Sequence, residues 1–304
     1  MVYWLIAIIS AYIFFGLSSL CDKLVLAGKV QKSPQPNSYA FYVGVSSILA
    51  IFLIPFTKFC FPNSSSWIWI IMDAAVYITG LYVMFVALEK FDVSRVIATI
   101  GATQPIFIFI LTWVFFGAQD ISGVNILAFV MLFLGSAIIS VEKNIEVTGD
   151  YLKITLFSSL MFSLDYIFSK HVFLGESFLN GLIWVRIFIF LFALIFLFTE
   201  SSRREIFSKQ MVSNKNTQLN FILAQTCGGA GNFLQSFGIS LVPVAFLAIA
   251  NSLRGIQYVF LFFITIFVSL FYPKILHEKM SVEIILQKTI SIVLIAIGLA
   301  MLVS

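Results

Sequence analysis

Long apolar runs, separated by short polar breaks, fill this chain from end to end. A hydrocarbon core about 30 Å thick needs about 20 apolar residues in a helix, and lipid offers the backbone no water, so such runs are expected to be helices. Charged residues make up only 11% of the 304 residues, whereas a soluble domain has about 25%. The sequence therefore predicts an all-α, multi-pass protein of the cell membrane (inner or plasma membrane).

Ten apolar runs are delimited by breaks with turn-forming residues, such as Ser33-Pro34-Gln35-Pro36-Asn37. The ninth run is long enough to be tilted or broken. The predicted membrane spans are 2–21, 38–58, 67–89, 95–116, 121–141, 152–173, 178–199, 217–241, 244–270 and 283–303.

A weak internal repeat divides the ten spans into two halves of five, residues 1–145 and 150–304. Residues 15–23 read FGLSSLCDK and residues 162–170 read FSLDYIFSK, an offset of 147 (162 − 15). Because five is an odd number, the two halves are predicted to be inverted in the membrane. Inverted repeats are common in transporters, whose substrate sites lie near the midplane.

The repeat continues at the ends of the third and eighth spans. Ala87-Leu88 and Gly238-Ile239 occupy these ends at an offset of 151 (238 − 87). The similar offsets indicate that the two halves share one order of helices.

The fourth and ninth spans carry a resemblance to the EamA-type transporters of the drug/metabolite transporter superfamily. Residues 87–96 read ALEKFDVSRV and lead to TQPIF at 103–107, which is similar to that family's helix ending in Ala-Leu, short turn and helix with a central proline. The second half resembles this pattern at 242–245 (VPVA) and 251–257 (NSLRGIQ), and 277–279 (HEK) is similar to the family's Gly-Glu exit. The resemblance covers nearly the whole chain. It implies a fold of ten membrane-spanning helices and a function in the transport of small organic metabolites.

Basic residues add to the resemblance, and other positions depart from it. Lys23 and Lys170 match the family's basic residue at the end of the first helix of each half, and Arg186 matches its arginine in the second helix of the second half. Gly117-Ala118-Gln119 replaces the Gly-Glu exit of the first half, and Ile256-Gln257 stands where the second half would have its proline.

Ionisable residues within the apolar runs are the first candidates for a functional site. Each costs about 2.5–3.5 kcal/mol on insertion scales, so its presence calls for a reason. Asp165 and Arg254 are predicted to contact a polar or zwitterionic substrate, and Asp165 is alternatively a proton-coupling carboxylate. The structural alternative is that Asp165 pairs with Arg254, Arg186 or Lys170. Asp73 is expected to reach only the membrane interface, and Arg186 is expected to be structural.

Uncharged polar residues on several spans form a second group of candidates. Thr99 with Thr103, and Asn251 with Arg254, have the spacing of one helix face. The group is predicted to line a substrate path, and the alternative is interhelical hydrogen bonding worth about 0.6 kcal/mol per bond. Pro105 removes a backbone hydrogen bond, so it is predicted to hinge a gate or to form a static bend. The uncharged candidates are Tyr82, Thr99, Thr103, Gln104, Asn232, Asn251 and Gln257.

Other classes of function find little support in the sequence. The chain has no P-loop, no HExxH and no GxSxG, and its three cysteines form no CxxC pair, so no cofactor or metal site is predicted and an enzyme is disfavoured. A net charge of +4 without a basic patch disfavours nucleic-acid binding. The prediction is a secondary transporter of small metabolites, a monomer or homodimer in contact with membrane lipids. A lipid or lipid-linked sugar flippase on the same fold is the alternative, and a pore-forming channel is not indicated.

Overall fold

The structure is a computed structural model that describes residues 2–27, 36–91, 93–140, 148–198, 200, 203–204, 215–271 and 282–303. Its secondary structure is helical, and no strand occurs in these ranges. The helices are α1 (Val2–Ala27), α2 (Pro36–Ser46, continued by the 3-10 helix Ser47–Phe56), α3 (Ser66–Lys90), α4 (Val93–Phe116), α5 (Gly123–Ser140), α6 (Gly149–Gly175), α7 (Phe178–Ala193, continued by the 3-10 helix Leu194–Phe198), α8 (Lys215–Leu241), α9 (Leu247–Ser252, preceded by the 3-10 turn Val244–Phe246), α10 (Gly255–Phe271) and α11 (Val282–Val303).

Eight stretches of the described chain are long and apolar enough to cross a membrane. They correspond to α1, α2, α3, α4, α6, α7, the α9–α10 segment and α11, and α5 is an apolar helix of shorter length. This outcome confirms the prediction of an all-α membrane protein. The fuller prediction of ten spans in two inverted halves remains a prediction, and its boundary near residue 145 lies outside the described residues.

Local capping explains where some helices begin and end. The side chain of Thr148 accepts a hydrogen bond from the backbone N–H of Tyr151 at 3.3 Å, which satisfies one of the free donors at the start of α6. Gly117 follows α4 with φ of 77°, a conformation that glycine adopts without steric cost, and its N–H binds the carbonyl of Trp113.

The α-helices form two compact units, and each unit combines helices that are distant in sequence. The first unit contains α1, α5, α8, α9, α10 and α11. The second unit contains α2, α3, α4, α6 and α7.

Glycines allow the helices of the first unit to approach closely. A Cβ on Gly238 would lie 2.6 Å from Ile8 Cγ1, while the hydroxyl of Ser18 donates to the carbonyl of Ala224 at 2.9 Å. Since α8 runs from 224 to 238 as α1 runs from 18 to 8, the two helices are antiparallel. Small residues at helix contacts are typical of membrane bundles, where packing rather than water drives association.

The same unit contains a closely packed pair, α5 and α11. A Cβ on Gly135 would lie 2.7 Å from Ile295 Cγ1 and 3.0 Å from the carbonyl oxygen of Ser291. A Cβ on Gly298 would lie 2.8 Å from Leu132 Cγ and 3.0 Å from the carbonyl oxygen of Ala128. The two glycines therefore make matching contacts, and the order of the contacts makes the helices antiparallel.

In the second unit, α3 packs against α6. The hydroxyl of Ser158 donates to the carbonyl of Gly80 at 3.0 Å, and a Cβ on Gly80 would lie 3.0 Å from Met161 Cβ and 3.4 Å from the ring of Phe162. Helix α2 meets α7, where a Cβ on Gly44 would lie 2.4 Å from the Cβ of Ala193. These contacts hold α3 against α6 and α2 against α7.

Two glycines of α8 provide a matched test of this packing. A Cβ on Gly231 would lie 2.8 Å from Phe15 Cδ1 and 3.2 Å from the carbonyl oxygen of Ala11, whereas a Cβ on Gly229 would meet nothing within 4 Å. We expect Gly231→Ala to lower the free energy of unfolding by about 1–3 kcal/mol through overpacking. Gly229→Ala should leave it unchanged or raise it, because alanine favours the helix. Equilibrium unfolding in mixed detergent micelles measures both, and equal effects would contradict the packing of α8 on α1.

Candidate functional site

Asp73 lies fully enclosed between α3 and α6, with 0% of its surface exposed. The hydroxyl of Ser169 on α6 donates to Asp73 Oδ2 at 2.8 Å. Asp73 Oδ1 has no hydrogen-bond donor in the described structure. The expectation that Asp73 reaches only the membrane interface is therefore wrong, because the side chain points into the helix packing and not away from it. A buried carboxylate oxygen without a donor is costly, so this position needs an explanation.

Asp165 lies one helical turn before Ser169 on α6 and therefore shares its face. Its carboxyl group is within hydrogen-bonding reach of the Asp73 carboxyl, and Arg186 is the other charged group that acts on it. Asp165 is half-buried, whereas Asp73 is fully buried. Two acidic side chains from different helices thus meet inside the second unit.

Arg186, near the middle of the candidate span on α7, completes this group. Its guanidinium lies over the ring of Tyr77 at 5.6 Å from the ring centroid. Cation–π contacts of this kind contribute about 0.5–2 kcal/mol, depending on desolvation. Tyr77 stands one turn after Asp73 on α3, so the arginine is held beside the two carboxyl groups. We call Asp73, Tyr77, Asp165, Ser169 and Arg186 the acid–arginine cluster.

His171 lies near the cluster on α6 and has an aromatic environment. Its ring stacks on Trp69 at 4.0 Å and on Phe116 at 4.2 Å between centroids. Within the described residues, no group of three or more histidine, cysteine, aspartate or glutamate side chains could hold a metal ion. The stacking gives His171 a packing role.

The candidates on α4 lie along its contact with α6. Thr99 is hydrogen-bonded to the hydroxyl of Tyr151, and Thr103 donates to the hydroxyl of Ser159 at 2.8 Å. The side-chain amide of Gln104 donates to a carbonyl of α6 at 3.3 Å. These bonds match the interhelical alternative, and contact of the same residues with a substrate stays a prediction.

The remaining uncharged candidates on α3 and α8 lie in different units. Tyr82 is half-buried in the second unit, where its ring lies 5.6 Å from that of Phe196. Asn232, in the first unit, donates from its side-chain amide to the carbonyl of Gly228 in its own helix at 3.1 Å. Neither side chain belongs to the acid–arginine cluster.

The first unit contains the other charged candidate, Arg254. Its guanidinium lies over the ring of Tyr12 at 6.0 Å, and the Tyr12 hydroxyl donates to the backbone carbonyl of Asn251 at 3.2 Å. The Asn251 side chain is 0% exposed, and both of its polar atoms lack partners in the described structure. Gln257 donates to the hydroxyl of Ser19 at 3.3 Å. The structure thus brings Arg254, Asn251 and Gln257 to one stretch of chain beside α1.

That stretch is an interruption of the helix between α9 and α10. The backbone N–H groups of Arg254, Ile256 and Gln257 bind carbonyls three residues earlier, in the pattern of a 3-10 turn. The ninth apolar run, which was expected to be either tilted or broken, is therefore broken at this position. No proline marks the position, and Gly255 is the only local sequence signal. Helix α4 carries Pro105 inside its helix.

Comparisons with known proteins bear on the fold. No protein-family model matches the chain, and no curated protein sequence matches it. One solved structure, described only as the crystal structure of a protein, is similar to it with a TM-score of 0.67. The similarity covers 97% of this chain and 94% of the other, at 12% sequence identity. At this identity the likeness concerns the fold alone.

Proposed function

We propose that the chain is a secondary transporter that moves small organic metabolites across a membrane by alternating access. The acid–arginine cluster is the observation that carries the proposal. Ionisable groups inside apolar spans are rare and expensive, and they mark substrate or ion pathways. Asp165 and Arg186 lie near the middle of their candidate spans, as does Arg254 in the first unit. The absence of a P-loop from the sequence leaves an ion or substrate gradient as the energy source.

The proposal includes ten spans arranged as two inverted halves of EamA type. Its support is that equivalent helices make equivalent contacts. Gly80 of α3 packs on Phe162 of α6, and Gly231 of α8 packs on Phe15 of α1. The glycines are 151 residues apart (231 − 80) and the phenylalanines 147 apart (162 − 15). These are the two offsets of the sequence repeat, so the contact pairs correspond under it.

The fifth helix of each proposed half supports the inversion. Gly135 and Gly298, 163 residues apart (298 − 135), exchange the same kinds of contact between α5 and α11. Their partners obey the same offset, since Leu132 corresponds to Ile295 and Ala128 to Ser291. A twofold axis in the plane of the membrane requires that two equivalent helices pack antiparallel. It also requires that each contact from the first helix to the second is matched by the equivalent contact from the second to the first. Inverted repeats of this kind are common in secondary transporters.

The fourth helix of each proposed half has a weakened backbone ladder. Pro105 removes one hydrogen bond from α4, and the 3-10 turn at Leu253 and Arg254 interrupts the ladder between α9 and α10. Discontinuous helices commonly form the substrate sites of transporters, because the freed backbone groups can bind a ligand. The interruptions support predicted roles for Pro105 and Arg254 in gating and substrate contact.

Counterflow in proteoliposomes tests the proposed function. Purified protein is reconstituted, and the vesicles are loaded with one unlabelled compound from a panel of amino acids, carboxylates, organic cations, nucleosides and sugars. We expect transient accumulation of the labelled form of at least one class, because a carrier exchanges substrate whereas a channel only equilibrates it. Asp165→Asn and Arg254→Leu should lower the exchange rate at least tenfold. Glu200→Gln, at an exposed ion pair, is the matched control.

A lipid-translocation assay on the same vesicles completes the test. The proposal fails if no class of metabolite shows counterflow while fluorescent phospholipids cross the bilayer. That result would favour the flippase alternative. Counterflow that is equally fast in Asp165→Asn, Arg254→Leu and the control would show that transport does not depend on these two residues.

A further inference from the structure

The two carboxyl groups of the acid–arginine cluster have too few hydrogen-bond donors. Asp73 accepts one hydrogen bond, from Ser169, and its Oδ1 atom has no donor although the residue is 0% exposed. The carboxyl group of Asp165 is its near neighbour. Ionised carboxylates are acceptors only, so two of them in contact have no hydrogen between them. One added proton would turn Asp165 or Asp73 into a donor to the other.

The charged and titratable groups around this pair lie on three helices. Helix α3 contributes Tyr77 beside Asp73, and α7 contributes Arg186, which acts on both carboxyl groups. On α6, the buried Lys170 and the stacked His171 follow Ser169, and neither is among the groups that act on Asp73 or Asp165. Residues 36–56 of α2 and residues 96–116 of α4 contain no charged side chain. The pair therefore has two acidic groups and one compensating cation.

We propose that Asp73 and Asp165 form a proton-binding pair whose protonation drives the transport cycle. This inference rests on the proposed function and adds the coupling ion to it. Binding forms one O–H bond on a carboxylate with a proton taken from water on one side of the membrane. Release breaks that bond and returns the proton to water on the other side. In the protonated state, the O–H donates to the second carboxylate, and Arg186 balances the remaining charge.

A proton fits this site better than a metal ion does. Asp73 is fully enclosed, so the pair can gain a hydrogen without any added volume, whereas a cation needs several oxygen ligands at fixed distances. The guanidinium of Arg186 would also repel a metal cation. Loss of the proton leaves two like charges in contact, which favours a different arrangement of α3 and α6. Protonation can therefore bias an equilibrium between two conformations.

The pH dependence of thermal unfolding of the purified protein tests the proton site without any substrate. The folded pair keeps a proton that the separated aspartates of the unfolded chain have already lost above about pH 5. Stability of the wild type should therefore fall as the pH rises from about 5 to about 8. Asp165→Asn supplies a permanent donor, so this variant should lose most of that pH dependence. Ser169→Ala removes a neighbouring hydrogen bond but should keep the dependence. Equal pH dependence in the wild type and Asp165→Asn would overturn the proposal.

Infrared spectroscopy provides a second readout that a merely structural role would not change. We expect a C=O stretching band of a protonated carboxyl group in the wild-type protein at neutral pH. The band should disappear in Asp165→Asn and in Asp73→Asn, and it should persist in Glu200→Gln. A wild-type spectrum without this band, or a band that both variants retain, would overturn the proposal.

Proteoliposomes with an imposed proton gradient test the coupling itself. The labelled compound is the one that shows counterflow in the panel. The gradient should accumulate it at least tenfold with the wild type, and Asp165→Asn should retain residual exchange but lose this accumulation. Gradient-independent transport by the wild type would overturn the coupling and leave the transporter proposal intact. Conversely, the protein could show a pH-dependent carboxyl pair and no counterflow of any compound. That result would support the proton site and refute the proposed transport function.

Discussion

Replacing Arg186 by methionine is expected to destabilise the protein strongly at neutral pH. The side chain is the cation that acts on both Asp73 and Asp165, and its ring contact with Tyr77 fixes it there. Removing one partner from a buried charged group typically costs about 3–5 kcal/mol. Because Arg186 is half-buried, we expect a loss of about 2–3 kcal/mol in the free energy of unfolding, or a large loss of folded protein. Unfolding in mixed micelles and the yield of monodisperse protein measure this effect.

A double variant distinguishes loss of charge balance from loss of packing. Arg186→Met combined with Asp165→Asn removes one negative charge together with the positive one, so much of the lost stability should return. Arg204→Met is the matched control, since its ion pair with Glu200 at 2.6 Å is exposed and such pairs contribute about 0–1 kcal/mol. If the double variant is as unstable as the sum of the two single variants, Arg186 does not stabilise the pair through its charge.

The sequence predicts the helices of this protein well, because apolar runs bounded by turn residues determine them. The predicted span 67–89 corresponds to α3 (Ser66–Lys90), and the prediction 178–199 corresponds to α7 with its 3-10 extension to Phe198. The interruption at Leu253 and Arg254 was harder to predict from the sequence, because no proline marks the break. Length alone indicated that the ninth run could be broken.

The candidate site was predicted only in part, for a physical reason. Asp165 and Arg254 stand out in sequence because a charge within an apolar run is conspicuous. Asp73 meets Asp165 only because α3 and α6 are rotated about their axes so that these two faces are in contact. The sequence does not reveal this rotation, because helices surrounded by lipid have only a weak difference between an apolar and a polar face. Ser169, one of many serines in the chain, gave no signal of its own. A polar residue that lines a cavity and one that bonds two helices, as Thr103 does, have the same sequence pattern.

The packing of α5 against α11 offers a test of whether these two helices are equivalent in the two proposed halves. The three native cysteines, Cys21, Cys60 and Cys227, are first replaced with serine so that they cannot form disulfides with the introduced cysteines. The contact pairs Gly135 with Ile295 and Leu132 with Gly298 can then be tested as double cysteines.

We expect both double-cysteine proteins, Gly135→Cys with Ile295→Cys and Leu132→Cys with Gly298→Cys, to cross-link almost completely under mild oxidation in membranes. Facing Cβ atoms allow a disulfide, whereas diverging side chains do not. Gly135→Cys with Val293→Cys is the control, because Val293 is 51% exposed and points away from the contact. Migration on non-reducing gels measures the cross-link. Reaction of one contact pair without the other would break the twofold correspondence, since an in-plane axis that relates α5 to α11 makes each pair the image of the other.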